Sequence, residues 1–182
     1  MAGDGRDPVT QGIAAELPRL WRYGLVLSSN RDTAEELVQA TCVRALERAH
    51  QFTAGTRLDR WLFSILHSIW LNELRARKVR LGQGLVDADA VLVFDGLKHT
   101  ETNIWVGQVL REVQALPEAQ RETVYLVYVE GMTYREAAGL LGVPIGTVMS
   151  RLAAARAKLA GLNAEAQSAT TEGSGTHGRS GG

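Results

Sequence analysis

The chain has 182 residues, enough for one ordinary domain or two small ones, and its 20 Lys+Arg balance its 20 Asp+Glu to a formal net charge of zero. That balance excludes a protein held to nucleic acid by bulk charge, so any basic surface must be local. The single cysteine, Cys42, forms no intramolecular disulfide, no Cys/His cluster has zinc spacing, and no apolar run is long enough to span a membrane.

The start, MAGDGRDPVTQG, is polar and lacks the apolar core of a signal peptide, so a reducing cytoplasm is the expected location. Residues 1–9 read as a loose N-terminus. A first domain is expected over 10–80. Ile13, Leu17, Leu20, Trp21 and Leu25 mark a helical stripe. Pro18 falls inside it and predicts a break or restart near Leu17. Ser28, Ser29 and Asn30 form a loop. Asp32 and Glu35 then supply an acidic cap at a helix N-terminus. Leu37, Val38, Thr41, Cys42, Ala45, Leu46 and Ala49 follow as the buried stripe, with Cys42 a small core residue. The opposite face carries Glu35, Glu36, Gln39, Arg44, Glu47 and Arg48. On pattern alone it is a solvated, charge-paired surface.

Ala54-Gly55-Thr56 is a turn, and a long helix is expected from about Leu58 to Lys78. Its apolar positions are Leu58, Trp61, Leu62, Ile65, Leu66, Ile69 and Leu74. Arg75, Arg77, Lys78 and Arg80 make its end basic, which complements the helix dipole. Arg57, Arg60, His67 and Trp70 lie on the same helix or at its start. Cations interleaved with aromatics also suit single-stranded DNA, rings for bases and charges for phosphates. Both readings stay open on pattern alone.

Residues 81–103 change character. Gly82, Gly84 and Gly96, with Asp87, Asp89 and Asp95, read as a flexible acidic linker, interrupted by the apolar Val91-Leu92-Val93-Phe94. A second domain is expected over 104–162. Ile104, Val109, Leu110, Val113 and Leu116 outline one helix. Pro117 opens the next, with Val124, Leu126, Val127 and Val129 buried and Gly131 closing it.

Thr133 stands three residues before Glu136, the spacing of a capping box. Ala137, Ala138, Leu140 and Leu141 supply a small apolar face, Gly142 a left-handed stop, and Pro144 the first turn of another helix. Ile145, Val148, Leu152, Ala155 and Leu159 are its buried stripe. Two helices about a tight turn make a helix-turn-helix. The face opposite the stripe carries Gly146, Thr147, Ser150, Arg151 and Arg156, small, hydroxyl and basic side chains suited to the DNA major groove. Residues 163–182 are poor in large apolar side chains and read as a disordered tail. No phosphate loop, carboxylate pair or nucleophile grouping is present, so neither catalysis nor a metal, cofactor or small-molecule substrate is expected. The fold class is all-α, two small helical domains joined by a linker.

Three stretches carry a resemblance: TAEELVQATCVRALERAHQF, GTRLDRWLFSILHSIWLNELRARK and LPEAQRETVYLVYVEGMTYREAAGLLGVPIGTVMSRLAAARAKL. Together they resemble the extracytoplasmic-function (ECF) group of bacterial RNA polymerase sigma factors. The start IAAELPRLWRYGLVLS further resembles its general-stress subgroup. The resemblance implies a region-two domain over 10–80 and a region-four domain over 104–162. It implies that Glu35, Glu36 and Gln39 dock on the β′ clamp helices of core RNA polymerase. Arg60, Trp61, Trp70, Asn72, Arg75, Arg77 and Lys78 would open and read the −10 element. Pro144, Gly146, Thr147, Met149, Ser150, Arg151 and Arg156 would meet the −35 element, with the β flap on the outer face of that domain. An anti-sigma factor is the further expected partner. The family is usually basic where this chain has Met149, often basic at Ala154, and commonly has Asp at Asn72. The implied function is to direct core polymerase to promoters and assist DNA opening. The alternatives are a sigma-like protein that titrates an anti-sigma factor and a stand-alone helix-turn-helix regulator.

Overall fold

The computed structural model describes residues 7–80 and 112–172, and all regular structure in them is helical. Helix α1 spans Pro8–Ser28. The Asp7 carboxylate accepts the Val9 and Thr10 N–H groups, both at 3.3 Å, and Pro8 opens the helix where no N–H is required. The expected loose start is therefore shorter than nine residues, since Pro8 is helical and Val9 fully buried. Nor does Pro18 break α1. The proline strips a donor from the carbonyl of Ala14, but Ala14 and Pro18 are both exposed, so water can take the donor's place.

Ser29 adopts a left-handed conformation (φ 52°) that ends α1, and α2 follows over Arg31–Glu47. Its cap is Asn30, whose side-chain oxygen accepts the Thr33 N–H at 2.9 Å, not the expected Asp32 with Glu35. Asn30 wins because the turn at Ser29 sets it, in extended backbone, directly before the first helical turn. The two helices cross closely. A Cβ placed on Gly24 would lie 3.2 Å from the backbone of Ala34.

After a single 3₁₀ turn at Ala49–Gln51, helix α3 runs over Leu58–Arg80. Leu62, Phe63 and Leu66 are fully buried against α1, where the rings of Tyr23 and Phe63 lie 4.9 Å apart. The expected linker, with Val91 to Phe94, lies outside the described residues, as do Ile104, Val109 and Leu110.

Helix α4 spans Glu118–Val124 and continues into a π turn, Tyr125–Val129. The wider turn inserts a residue into the helical repeat. It leaves Tyr125 and Leu126 buried and turns Val129 outward, against the expectation that Val129 is buried. Gly131 (φ 63°) ends the segment.

Helix α5 spans Tyr134–Leu141 and has the expected capping box. The Thr133 hydroxyl accepts the Glu136 N–H at 3.2 Å, and Glu136 accepts the Thr133 N–H at 2.7 Å. Gly142 is left-handed (φ 64°), and helix α6 begins at Ile145. The pair bends by 105° at the turn. Val148, Leu152 and Ala155 are fully buried, whereas Ile145, expected at the head of this stripe, is exposed. Helix α6 extends to Glu172, into the segment expected to be a disordered tail.

The halves share one core. Tyr23 of α1 stacks on Tyr125, ring centroids 5.8 Å apart, and α3 packs on α5. No single helix among the described residues is long and apolar enough to cross a membrane.

Candidate nucleic-acid and docking surfaces

The first surface is α2. Its buried stripe, Ala34, Leu37, Thr41 and Ala45, fixes the opposite face outward. Glu35, Glu36 and Gln39 are all exposed there. The same face carries Val43, 57% exposed, and Leu46, 48% exposed. Leu46, expected in the buried stripe, thus points outward, and Val43 joins it. Val43 is an apolar residue out of phase with the core, which was the available signal. Acidic and amide groups flanking an apolar strip form a face that another helix can cover.

The second surface is α3. Asn72, Arg75 and Lys78 are exposed, with Arg75 donating to Asn72 Oδ1 at 2.9 Å. Arg77 is exposed and shared between Glu73, at 3.0 Å, and the Trp70 ring, 5.6 Å from its centroid. The aromatics are less available. Trp61 packs tilted on Phe52 at 5.3 Å. Trp70 is only 4% exposed, and its indole N–H donates to Glu118 Oε1 at 2.8 Å. Arg60 is similarly occupied, donating to the Glu130 carbonyl at 3.2 Å with Glu136 3.6 Å away. Trp70 and Arg60 thus face the second half of the chain and are withdrawn from the solvent-facing basic end of the helix.

An ion network joins these elements. Arg19 of α1 reaches Glu16, Asp59 and Glu130, and Arg57 donates to Asp59 at 2.7 Å. Burial would raise the Asp59 carboxyl, but hydrogen bonds from Arg57, the backbone and Arg19 outweigh it and hold its pKa down to about 2. A depressed carboxyl stabilises the fold above its unfolded value of 3.8, and that contribution disappears as pH falls through about 2. Asp59→Asn should therefore be less stable than the parent at neutral pH by about 2 kcal/mol. The gap should close between roughly pH 4 and pH 2. Urea unfolding of both proteins across that range checks it; a gap that does not change with pH contradicts the assignment.

The third surface is the start of α6. Gly146, Met149, Ser150 and Arg156 are exposed, and Pro144 is exposed at its head. Met149 is 54% exposed and Ala154 is exposed as well. Two predicted residues sit off this face. Thr147 is half-buried, and its carbonyl accepts the Ser150 hydroxyl at 3.0 Å. Arg151 is half-buried and lines a cleft of about 280 Å³ with His67, Glu118 and Glu122. Three turns of small, hydroxyl and basic side chains remain outward, on a helix aimed by a capped, sharply bent turn. That geometry can enter a major groove.

A helix-turn-helix half packed on a second helical half, which itself offers a basic helix end and an exposed acidic and apolar helix face, defines a two-domain, all-α DNA-recognition protein. Residues 107–159 match the family described as Sigma-70, region 4, and residues 13–67 match the Sigma2 domain of PhyR. The ECF RNA polymerase sigma factor EcfG of Rhodopseudomonas palustris is 31% identical over 156 residues, covering 86% of this chain and 85% of its own. The ECF sigma factor SigM of Mycobacterium tuberculosis is 33% identical over 144 residues, covering 79% and 71%. Among solved structures, the sigma factor RpoE of Bartonella quintana, in complex with the anti-sigma factor NepR, superimposes with a TM-score of 0.71 at 29% identity. The match covers 85% of this chain and 95% of that one. The chain belongs to the ECF group of RNA polymerase sigma factors.

Proposed function

We propose that this sigma factor binds core RNA polymerase through α2, opens the −10 element with α3 and reads the −35 element with α6. The observation that carries the DNA assignment is the exposed run Gly146, Met149, Ser150 and Arg156 beyond a capped, 105° helix turn. Glu35, Glu36 and Gln39 meet the β′ clamp helices, and the domain over 104–162 meets the β flap. Trp61, Asn72, Arg75, Arg77 and Lys78 serve the −10 strand, joined by Arg60 and Trp70. Pro144 and Thr147 frame the reading face, and Arg151 sits at its edge. Catalysis belongs to the polymerase, and the protein works in the cytoplasm. An anti-sigma factor controls it, a reading supported by the NepR-bound RpoE structure that this chain resembles. The EcfG relative likewise favours the general-stress subgroup.

Purified core polymerase with this protein on a genomic promoter library tests the proposal. Promoter-specific transcript starts support it. Tight duplex binding without polymerase, and no transcripts, would make the protein a stand-alone regulator.

Met149 gives a sharper test of α6. Each phosphate contact contributes close to one unit of slope to log affinity against log salt. Met149→Lys should tighten binding to a −35 duplex and steepen that slope by about one. Curves that superimpose on the parent's would mean that this face does not touch DNA.

A further inference from the structure

The outward face of α6 opens on apolar side chains that the core does not use. Ile145 is 47% exposed and Met149 54% exposed, although Val148 and Leu152 beside them are fully buried. Ile145, Met149 and the exposed Ala153 follow at four-residue steps, so they form one ridge along the start of the helix. Hydrogen-bond donors are scarce on the same stretch. Gly146 has no side chain, and the Ser150 hydroxyl donates to the Thr147 carbonyl at 3.0 Å. The exposed cation Arg156 stands three turns beyond Ile145, about 16 Å along the axis. Base edges are met by the first residues of such a helix. In the major groove guanine, adenine and cytosine offer hydrogen-bonding groups alone, whereas thymine adds an apolar C5 methyl. An apolar ridge whose neighbouring hydroxyl has already given its proton matches that methyl and not the polar edges.

We propose that Ile145 and Met149 are specificity-determining residues that read thymine C5 methyls in the −35 element. The inference deepens the sigma reading above and rests on it, because it takes α6 to lie in the major groove. The two side chains suit different parts of the task. Ile145 is β-branched and stiff at the first position of the helix, whereas Met149 is unbranched and adapts its tip to the surface it meets. Side chains four residues apart on a helix have Cβ atoms about 5–6 Å apart, and base pairs follow every 3.4 Å or so. The pair therefore addresses positions one or two base-pair steps apart, on either strand. Removing one buried methyl lowers affinity about fourfold.

The test uses holoenzyme reconstituted from core polymerase and the full chain, on a promoter taken from the mapped transcript starts. In synthetic templates each −35 thymine, on either strand, is replaced in turn by deoxyuridine, which keeps the base pair and removes only the C5 methyl. Holoenzyme affinity should fall about fourfold at one or two positions and stay unchanged at the others. Ile145→Ala with Met149→Ala should bind thymine and uracil templates equally, with helical content unchanged because both positions are exposed. Met149→Ala alone should lose part of the preference and serves if the double variant binds too weakly to measure. Met149→Lys trades a methyl contact for a charge, so it should bind more tightly and discriminate less between thymine and uracil. Uracil tolerated at every −35 thymine overturns the inference. So does a −35 element with no thymine on either strand, or a preference that persists undiminished in the double variant. The sigma reading survives each of those failures, since promoter-specific starts carry it. Without such starts the sigma reading fails by itself, and the full chain alone is offered random duplex pools synthesised with thymine or with uracil. Preferential capture of the thymine pool then keeps the methyl readout, and equal capture overturns it.

Discussion

Glu36→Lys combined with Val43→Glu will weaken binding to core RNA polymerase by about a hundredfold, or roughly 2.7 kcal/mol, with helical content unchanged. Both side chains stand on the exposed face of α2, away from Ala34, Leu37, Thr41 and Ala45, which hold the helix to the core. The fold therefore loses little. The interface would lose an apolar anchor, acquire a buried charge in its place, and gain a like-charge clash wherever Glu36 meets a cation. Residues at the centre of an interface carry most of its energy, so Val43 should contribute more than Glu36. Fluorescence anisotropy with labelled protein measures the affinity, and circular dichroism guards the fold. Binding equal to the parent's would remove α2 from the polymerase interface.

Leu152→Ala will cost about 3 kcal/mol of stability, within the usual range for deleting a buried leucine. Leu152 is fully buried between Val148 and Ala155 on the face of α6 that packs on α4 and α5. The cavity left behind would detach the reading helix from its support, so −35 binding should fall at temperatures where the parent still binds. Met149→Lys lies one turn away but outside the core, and should leave stability within about half a kcal/mol of the parent. Chemical denaturation of both variants makes the comparison. Equal effects would mean that α6 is not held by the stripe described.

What was legible in the sequence was mostly local. Thr133, Glu136 and Gly142 act within a few residues of themselves, so their spacing specified cap, turn and second helix together. The stripe Val148, Leu152 and Ala155 was equally plain, being a simple helical period. The misreadings came from alternatives that local pattern cannot rank. Pro18 looked like a break because its lost hydrogen bond is visible in the sequence, whereas the hydration of Ala14 is not. Asp32 outranked Asn30 on charge alone, until the left-handed Ser29 decided which residue precedes the helix. The π turn displaced Val129 by adding a residue to a repeat assumed to be regular. Trp70, Arg60 and Arg151 were found as candidates, but their partners lie across the chain. Glu118 carries no local signal beyond its place in the first turn of α4. No periodicity in α3 shows that a distant carboxylate will meet Trp70.

The crossing at Gly24 and Ala34 has a further bearing on how this protein can vary. Two of the smallest side chains meet where α1 and α2 touch, and a methyl group on Gly24 would already crowd the Ala34 backbone at 3.2 Å. A larger residue at either position must push the helices apart. The outward strip of Glu36, Gln39, Val43 and Leu46 belongs to the helix that would move. Shape at this one crossing therefore acts as an alignment screw for a surface it never touches. Sequence drift should be freer along the strip than beneath it, and a designer wishing to re-aim α2 would begin at Gly24.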